Sequence, residues 1–331
     1  MIKRINEAKG LPSFYYALSH LWGLSDTNRY LWHEIGDYVD DEQGQPAAPV
    51  PMRPEKRNTL LSMLKDHPDS YWWIDVLCAR TDTPLDIMGD IYACCLECVV
   101  MIDCEPDLIP QLNAIMTDSV DQSLSGTQQD YKKLRQLMNV VAKLMQCTWW
   151  TRVWTWQEMA LPFGELRFMA ETGTHRPISN TITLQKLMQV KDKTTSIRFE
   201  HGAIGESMTA FTMFDLALIE IRSARQSNKH RIMGRSEIGL KYLIMSLHHS
   251  RRQCMDPVDY VYGVLGMLRI KIPRMKDPKA VWQRFLTELD NCMEKRKERR
   301  LIDHVHQVDL LQANHISDVY SKLLFHLKDH A

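Results

Sequence analysis

Two short apolar runs restrict this chain more than any other feature: Tyr71-Trp-Trp-Ile-Asp-Val-Leu77 and Cys98-Val-Val-Met-Ile102. Both are rich in aromatic and branched residues and too short for a buried helix, so each reads as a buried strand. A strand that is apolar along its whole length is covered on both faces, as in the middle of a parallel sheet. Phe14-Tyr-Tyr-Ala-Leu18 and the weaker Leu166-Arg-Phe-Met169 are further strand candidates. Helical patterns lie between them. Asn58 suits the N-cap of a helix over 59–65, with Leu60, Leu61 and Leu64 on one stripe. Pro84 suits the first turn of a helix through Ile87, Met88, Ile91 and Tyr92. Two more helices are expected over 131–146 and 152–160. The alternation predicts an α/β fold, a mostly parallel sheet flanked by helices.

The second half differs. From about residue 207 to 327, apolar residues recur at helical spacing, as in Phe211, Phe214, Ala217, Leu218 and Ile221. Asp256-Pro257 reads as an N-cap followed by a first-turn proline, leading into Tyr260, Val261, Val264 and Leu265. Trp282, Phe285, Leu286 and Leu289 form another stripe. The expected organisation is an α/β core over 1–200 and a helical C-terminal extension over 201–331 packed on it. Gly44, Pro46, Pro49 and Pro51 mark 34–54 as a surface loop or insertion.

Composition narrows the function classes. The 331 residues carry 41 basic and 41 acidic side chains, so a dedicated nucleic-acid binder is not expected. A 44% hydrophobic share rules out wholesale disorder. No 18-residue apolar window predicts a membrane span, and the charged N-terminal segment lacks the apolar stretch of a secretory leader. Eight cysteines without an export signal suit reduced thiols in a cytoplasmic protein. Eight of the nine tryptophans fall between Trp22 and Trp156, which concentrates specialised packing in the first half.

Four stretches carry the motifs. They are Tyr16-Ala-Leu-Ser-His-Leu-Trp-Gly23, Trp73-Ile-Asp-Val-Leu-Cys78 with Met88-Gly-Asp-Ile-Tyr92, Arg152-Val-Trp-Thr-Trp-Gln-Glu158, and Arg252-Gln-Cys-Met-Asp-Pro-Val-Asp-Tyr-Val-Tyr-Gly-Val-Leu-Gly266. In type and order they resemble the fungal heterokaryon-incompatibility (HET) domain. The resemblance implies a role in fungal non-self recognition, with growth arrest or cell death as the output. It also implies a more distant similarity to Toll/interleukin-receptor (TIR) domains, and so a TIR-like, flavodoxin-like sheet. In enzymatic TIR domains a glutamate four residues after a tryptophan serves NAD hydrolysis, and Trp154 with Glu158 keeps that spacing. The resemblance therefore makes Glu158 the catalytic candidate, with NAD as a possible substrate rather than a bound cofactor.

The residues themselves allow this chemistry. Trp154 and Glu158 are four apart, so a helix puts them on one face, and a carboxylate beside an indole is partly desolvated. Cleavage of a nicotinamide–ribose bond passes through an oxocarbenium-like state that one carboxylate can stabilise. Glu158 paired with Arg152 is the alternative. Asp75, in an apolar strand, is either a site residue or an acceptor for a loop N–H. Ser19 and Trp22 sit just after the first strand, where ligands of open α/β sheets gather, although Ser19 equally suits a turn. Cys78, Arg152 and Trp154 complete the candidate binding set.

After Cys78 the family's usual Ile-Asn-Gln-x-Asp is replaced by Ala79-Arg80-Thr81-Asp82-Thr83-Pro84. This favours the alternative function, a non-catalytic signalling module that works by self-association and partner binding. Expected partners are a second copy or another incompatibility or sensor protein. Cys94, Cys95, Cys98 and Cys104 straddle a helix end and a strand, so they read as core thiols rather than a metal site. Cys78 as a nucleophile needs a histidine, for which His20 is the candidate. Residues 222–252 hold eight Lys or Arg against Glu237 alone, and internal or solvated compensation is expected there, in part from the acidic 26–42 region. Lys295-Arg-Lys-Glu-Arg-Arg300 reads as an exposed helix end.

Overall fold

The structure, a computed structural model, describes residues 15–22, 30–41, 43–79, 83–85, 87–120, 128–173, 175–176, 180–201, 207–233, 236–294 and 308–328. The strands are β1 (Tyr15–His20), β2 (Leu31–Trp32), β3 (Val50–Pro51), β4 (Tyr71–Ile74), β5 (Glu97–Ile102), β6 (Glu165–Ala170) and β7 (Thr181–Thr183). Among the described residues, the helices of eight residues or more are α1 (Pro54–Lys65), α2 (Ile87–Cys94), α3 (Leu108–Val120), α4 (Gln128–Met145) and α5 (Val153–Ala160). They continue with α6 (Leu184–His201), α7 (Ser207–Ile232), α8 (Ser236–His249), α9 (Pro278–Glu294) and α10 (Ile316–Lys328). The chain divides into two units, one formed by 1–81, 95–149 and 164–203, the other by 82–94, 150–163 and 204–331. The second unit thus takes α2 and α5 from the first 200 residues.

The first unit holds a five-stranded sheet in the order β4-β1-β5-β6-β7. β4, β1, β5 and β6 run parallel, and β7 pairs antiparallel with β6. Counted along this sheet alone, the order is 2-1-3-4-5, the flavodoxin-like arrangement. The expected mostly parallel α/β fold is present. β5, the continuous apolar run, is the middle strand, and residues 98–102 are all buried. One face of the sheet, with Leu18, Trp72, Ile74, Val99, Met101 and Met169, packs on Leu60 and Met63 of α1 and on Trp32, Ile35, Val50 and Met52.

Three expectations change. The 34–54 stretch is more than a surface loop, because Ile35, Val50 and Met52 are buried in the core and β2 and β3 form a ribbon there. Asn58 lies inside α1: Pro54 starts the helix one turn earlier, with Arg53 at the N-cap, since the fixed φ of proline suits the first position. The 71–77 strand stops at Ile74, where the Asp75 carboxylate accepts the Val76 amide (2.7 Å) and opens the helical turn Asp75–Cys78.

The second unit is helical. α7 and α8 pack side by side, and α8 packs on α10. Phe214, Leu218, Ile221, Leu243, Ile244, Leu247, Val319, Tyr320 and Leu323 are among the buried residues of these helices. Trp282 stacks on Phe285 and meets Tyr320 edge-on. Asp256 does accept the Val258 amide (3.2 Å), but the helix it starts breaks into two turns, Asp259–Tyr262 and Leu265–Leu268. The second turn meets α2 at a pair of glycines: a Cβ on Gly89 would lie 2.5 Å from the Gly266 Cα. Two motif segments, 88–92 and 252–266, therefore meet where only hydrogen fits.

Candidate functional site

Parallel strands deliver their last residues to one edge, where ligands of open α/β sheets bind. In the first unit that edge is ionic. His20 ends β1, Asp75 follows β4, Asp103 follows β5 and Glu171 follows β6. His20 Nε2 is 3.0 Å from Asp75 Oδ1, and the Trp22 indole donates to Asp75 Oδ2 across 2.7 Å. Lys56, in the first turns of α1, reaches Glu171 Oε2 at 2.9 Å, and Arg53 pairs with the same carboxylate. The Lys56 ammonium also donates to the Leu21 carbonyl and faces His20 Nδ1 at 3.5 Å. Lys56, His20 and Glu171 are buried, whereas Trp22 is 46% exposed.

The electrostatics follow from this geometry. Burial pushes the Asp75 carboxyl up, but the hydrogen bonds from His20, the Trp22 indole and the Val76 amide hold the group below its ordinary value. Burial, then the Arg53 guanidinium, lower the Lys56 ammonium to about 7 against the upward pulls of Asp75 and Asp103. The nearby Glu171 carboxylate favours the charged form as well.

Beside this cluster, at the switch point between β1 and β5, Asp103 accepts the Thr148 and Trp149 amides at 2.9 and 3.1 Å. Trp149 in turn donates its indole N–H to the Ser19 hydroxyl at 2.9 Å. Ser19 is completely buried, so it supports this turn from beneath.

The candidate residues divide between the units. Ser19, Trp22, Asp75 and Cys78 belong to the first, and the structure joins Trp22 to Asp75 through His20's partner carboxylate. Cys78 is half-buried at the end of the turn that Asp75 begins. His20 directs Nε2 to Asp75 and Nδ1 toward Leu21 and Lys56. Arg152, Trp154 and Glu158 belong to the second unit. Glu158 is 5% exposed on α5, and Trp154 hydrogen-bonds Asp259. Burial, despite that bond, pushes the Asp259 carboxyl up to about 6.

The N-terminus of α5 is fixed by Arg252. Its guanidinium donates to the Arg152 carbonyl (2.8 Å), the Thr155 hydroxyl (2.6 Å) and Glu220 Oε1 (2.8 Å). Among the described residues of the basic 222–252 stretch, Arg252 pairs with Glu220 and Arg225 donates to the Met159 carbonyl. Arg222, Lys229 and Arg251 are exposed. Asp82, residues 26–29 and residues 295–300 lie outside the described residues.

Cys95, Cys98 and Cys104 are buried and Cys94 is exposed. A hydrogen bond with Cys104, together with burial, holds the Cys147 thiol far above its ordinary value. Among the described residues, no group of three or more His, Cys, Asp or Glu is placed to hold a metal ion. No described helix is long and apolar enough to cross a membrane.

Sequence reasoning passed over Lys56, Arg53, Asp103 and Glu171. A signal was present, because each of the runs ending at Ile74, Ile102 and Ala170 is followed at once by an acid.

An ionised cluster at the carboxyl edge of a flavodoxin-ordered sheet, joined in one chain to a helical unit, defines the class. Residues 15–158 match the family described as heterokaryon incompatibility protein (HET). That family's role is heterokaryon incompatibility. The Arg252–Gly266 motif lies beyond the matched stretch. Neither a curated protein nor a solved structure matches the chain.

Proposed function

We propose that this protein is an effector of fungal non-self recognition that triggers regulated cell death, and that it acts by hydrolysing NAD. The observation that carries this reading is the Asp75–His20 pair at the carboxyl edge of the sheet. Asp75 is a carboxylate held ionised beside an exposed indole, in the place where α/β sheets bind ligands. A fixed negative charge there stabilises an oxocarbenium-like ribosyl centre, and the leaving nicotinamide needs no general acid. Glu158, in the second unit, is a separate catalytic candidate, supported by the Trp154–Glu158 spacing shared with enzymatic TIR domains.

The test is nicotinamide release from NAD by the purified protein, compared with Asp75→Asn and Glu158→Gln. Loss of release by at least tenfold in either variant, with the fold intact, supports catalysis. A wild-type rate equal to the uncatalysed background sinks it.

One observation favours a non-catalytic reading. Asp75, His20, Lys56 and Glu171 already satisfy one another, as the members of a structural ion network do. On that reading the protein signals by self-association and by binding a second incompatibility or sensor protein. Growth arrest in a fungal host by a protein that releases no nicotinamide decides for it.

A further inference from the structure

His20 stands between a carboxylate and an ammonium. Its Nε2 lies 3.0 Å from Asp75 Oδ1, and its Nδ1 lies 3.5 Å from Lys56 Nζ. An ionised carboxylate only accepts, so Nε2 carries a proton. A lysine ammonium only donates, so the Nδ1 that faces it offers a lone pair. The Leu21 carbonyl is contested: it lies 3.1 Å from Nδ1 and also accepts from Lys56. While Lys56 is an ammonium, a proton on Nδ1 would set two cations face to face. Their side chains are 1% and 0% exposed, so little water screens them. The carbonyl therefore goes to Lys56, and the ring stays neutral.

The charge of the site depends on that outcome. A neutral His20 leaves the His20–Asp75 pair with one net negative charge, and an imidazolium would cancel it. With Oδ1 taken by His20 and the Val76 amide, Oδ2 is the oxygen turned to the exposed Trp22 indole.

We propose that Lys56 is a positioning residue for the carboxyl-edge site: it holds His20 as the neutral Nε2–H tautomer and so keeps the His20–Asp75 pair anionic beneath Trp22. A site that stabilises developing positive charge needs this state, so the inference rests on the functional reading of that edge. Its own test does not use catalysis, and the two readings fail separately.

The experiment is long-range 1H–15N correlation on the 15N-labelled full chain at pH 6, below the value of about 7 at which Lys56 releases its proton, with His20 assigned by its loss in His20→Gln. Wild type is expected to show His20 protonated on Nε2 and bare on Nδ1. In Lys56→Met the ammonium is gone, Nδ1 takes a proton toward the Leu21 carbonyl, and both ring nitrogens become protonated. The Trp22 indole N–H signal then moves upfield, because Asp75 shares its charge with an imidazolium. Lys56→Arg keeps a cation beside the ring and restores the wild-type pattern. An imidazolium or an Nδ1–H tautomer in wild type overturns the proposal, as does an unchanged His20 pattern in Lys56→Met. Should Lys56→Met not fold, the wild-type spectrum alone decides.

Discussion

Trp149 donates its indole N–H to the Ser19 hydroxyl across 2.9 Å, and neither side chain has measurable exposure. This bond ties β1 to the turn held by Asp103 at the switch point of the sheet. It also explains why a fully buried serine stands next to last in β1: the edge needs an acceptor beneath a buried indole.

The consequence is measurable. Ser19→Ala deprives the buried indole of this acceptor and is expected to cost about 1–3 kcal/mol. Trp149→Phe removes the donor but also leaves a gap. The double variant Ser19→Ala/Trp149→Phe should therefore cost less than the two single effects added together. Urea denaturation of the four proteins closes the cycle. Strict additivity would show that the bond contributes nothing.

Asp259 should make stability depend on pH in an unusual direction. Its native carboxyl titrates at about 6, because burial outweighs the Trp154 bond, whereas in the unfolded chain it titrates near 3.9. Between those values the native state holds a proton that the unfolded state has released, so this group's contribution to stability falls as pH rises through the window. Above pH 6 both states are ionised and the whole cost is present. Asp259→Asn keeps an acceptor for the indole and is expected to stabilise the protein by about 1–2 kcal/mol at pH 7.5. The gain should fade as the pH is lowered toward 4. Thermal melts of both proteins at the two pH values test this, and a gain that stays constant with pH contradicts it.

How far the sequence reaches is clear from particular residues. β5 was legible because every residue of 98–102 is apolar, and a strand covered on both faces leaves no other pattern. The tryptophan crowding was legible as packing: Trp73, Trp149 and Trp156 are all fully buried or nearly so. The strand end at Ile74 was not legible, since Val76 and Leu77 continue the apolar pattern and only the Asp75 carboxylate turns the chain. Lys56 was hidden for a related reason. A lysine on a helix reads as solvated, and its burial follows from Glu171, 115 positions away in the chain and placed by β6. Long-range pairing of charges has no local periodicity to reveal it.

The glycine pair predicts intolerance at a small residue. Gly89 and Gly266 approach so closely that a methyl group on Gly89 would sit 2.5 Å from a backbone carbon, which no rotamer change relieves. Gly89→Ala gains in helix propensity, but the overpacking is expected to cost about 2–3 kcal/mol net. Gly266→Ala should behave alike, because its Cβ would meet the Gly89 Cα at 2.6 Å. Urea midpoints close to wild type in both variants would mean that the two segments separate at little cost.

Arg252 is buried and shares its guanidinium among Glu220, Thr155 and the Arg152 carbonyl, so it fastens the segment that carries Trp154 and Glu158. A guanidinium donates in several fixed directions at once, which an ammonium does not. Arg252→Lys is therefore expected to keep the charge beside Glu220 and still lose the bonds to α5. Arg252→Met strands the Glu220 carboxylate in the core, at a cost of about 3–5 kcal/mol. Adding Glu220→Gln to Arg252→Met removes the uncompensated charge and should recover part of that loss. Ser246 and Ser250, which donate to Glu220, retain acceptors in the double variant. Denaturation curves for the single and double variants measure the recovery. If Arg252→Met/Glu220→Gln is less stable than Arg252→Met alone, the role of Arg252 is packing rather than charge pairing.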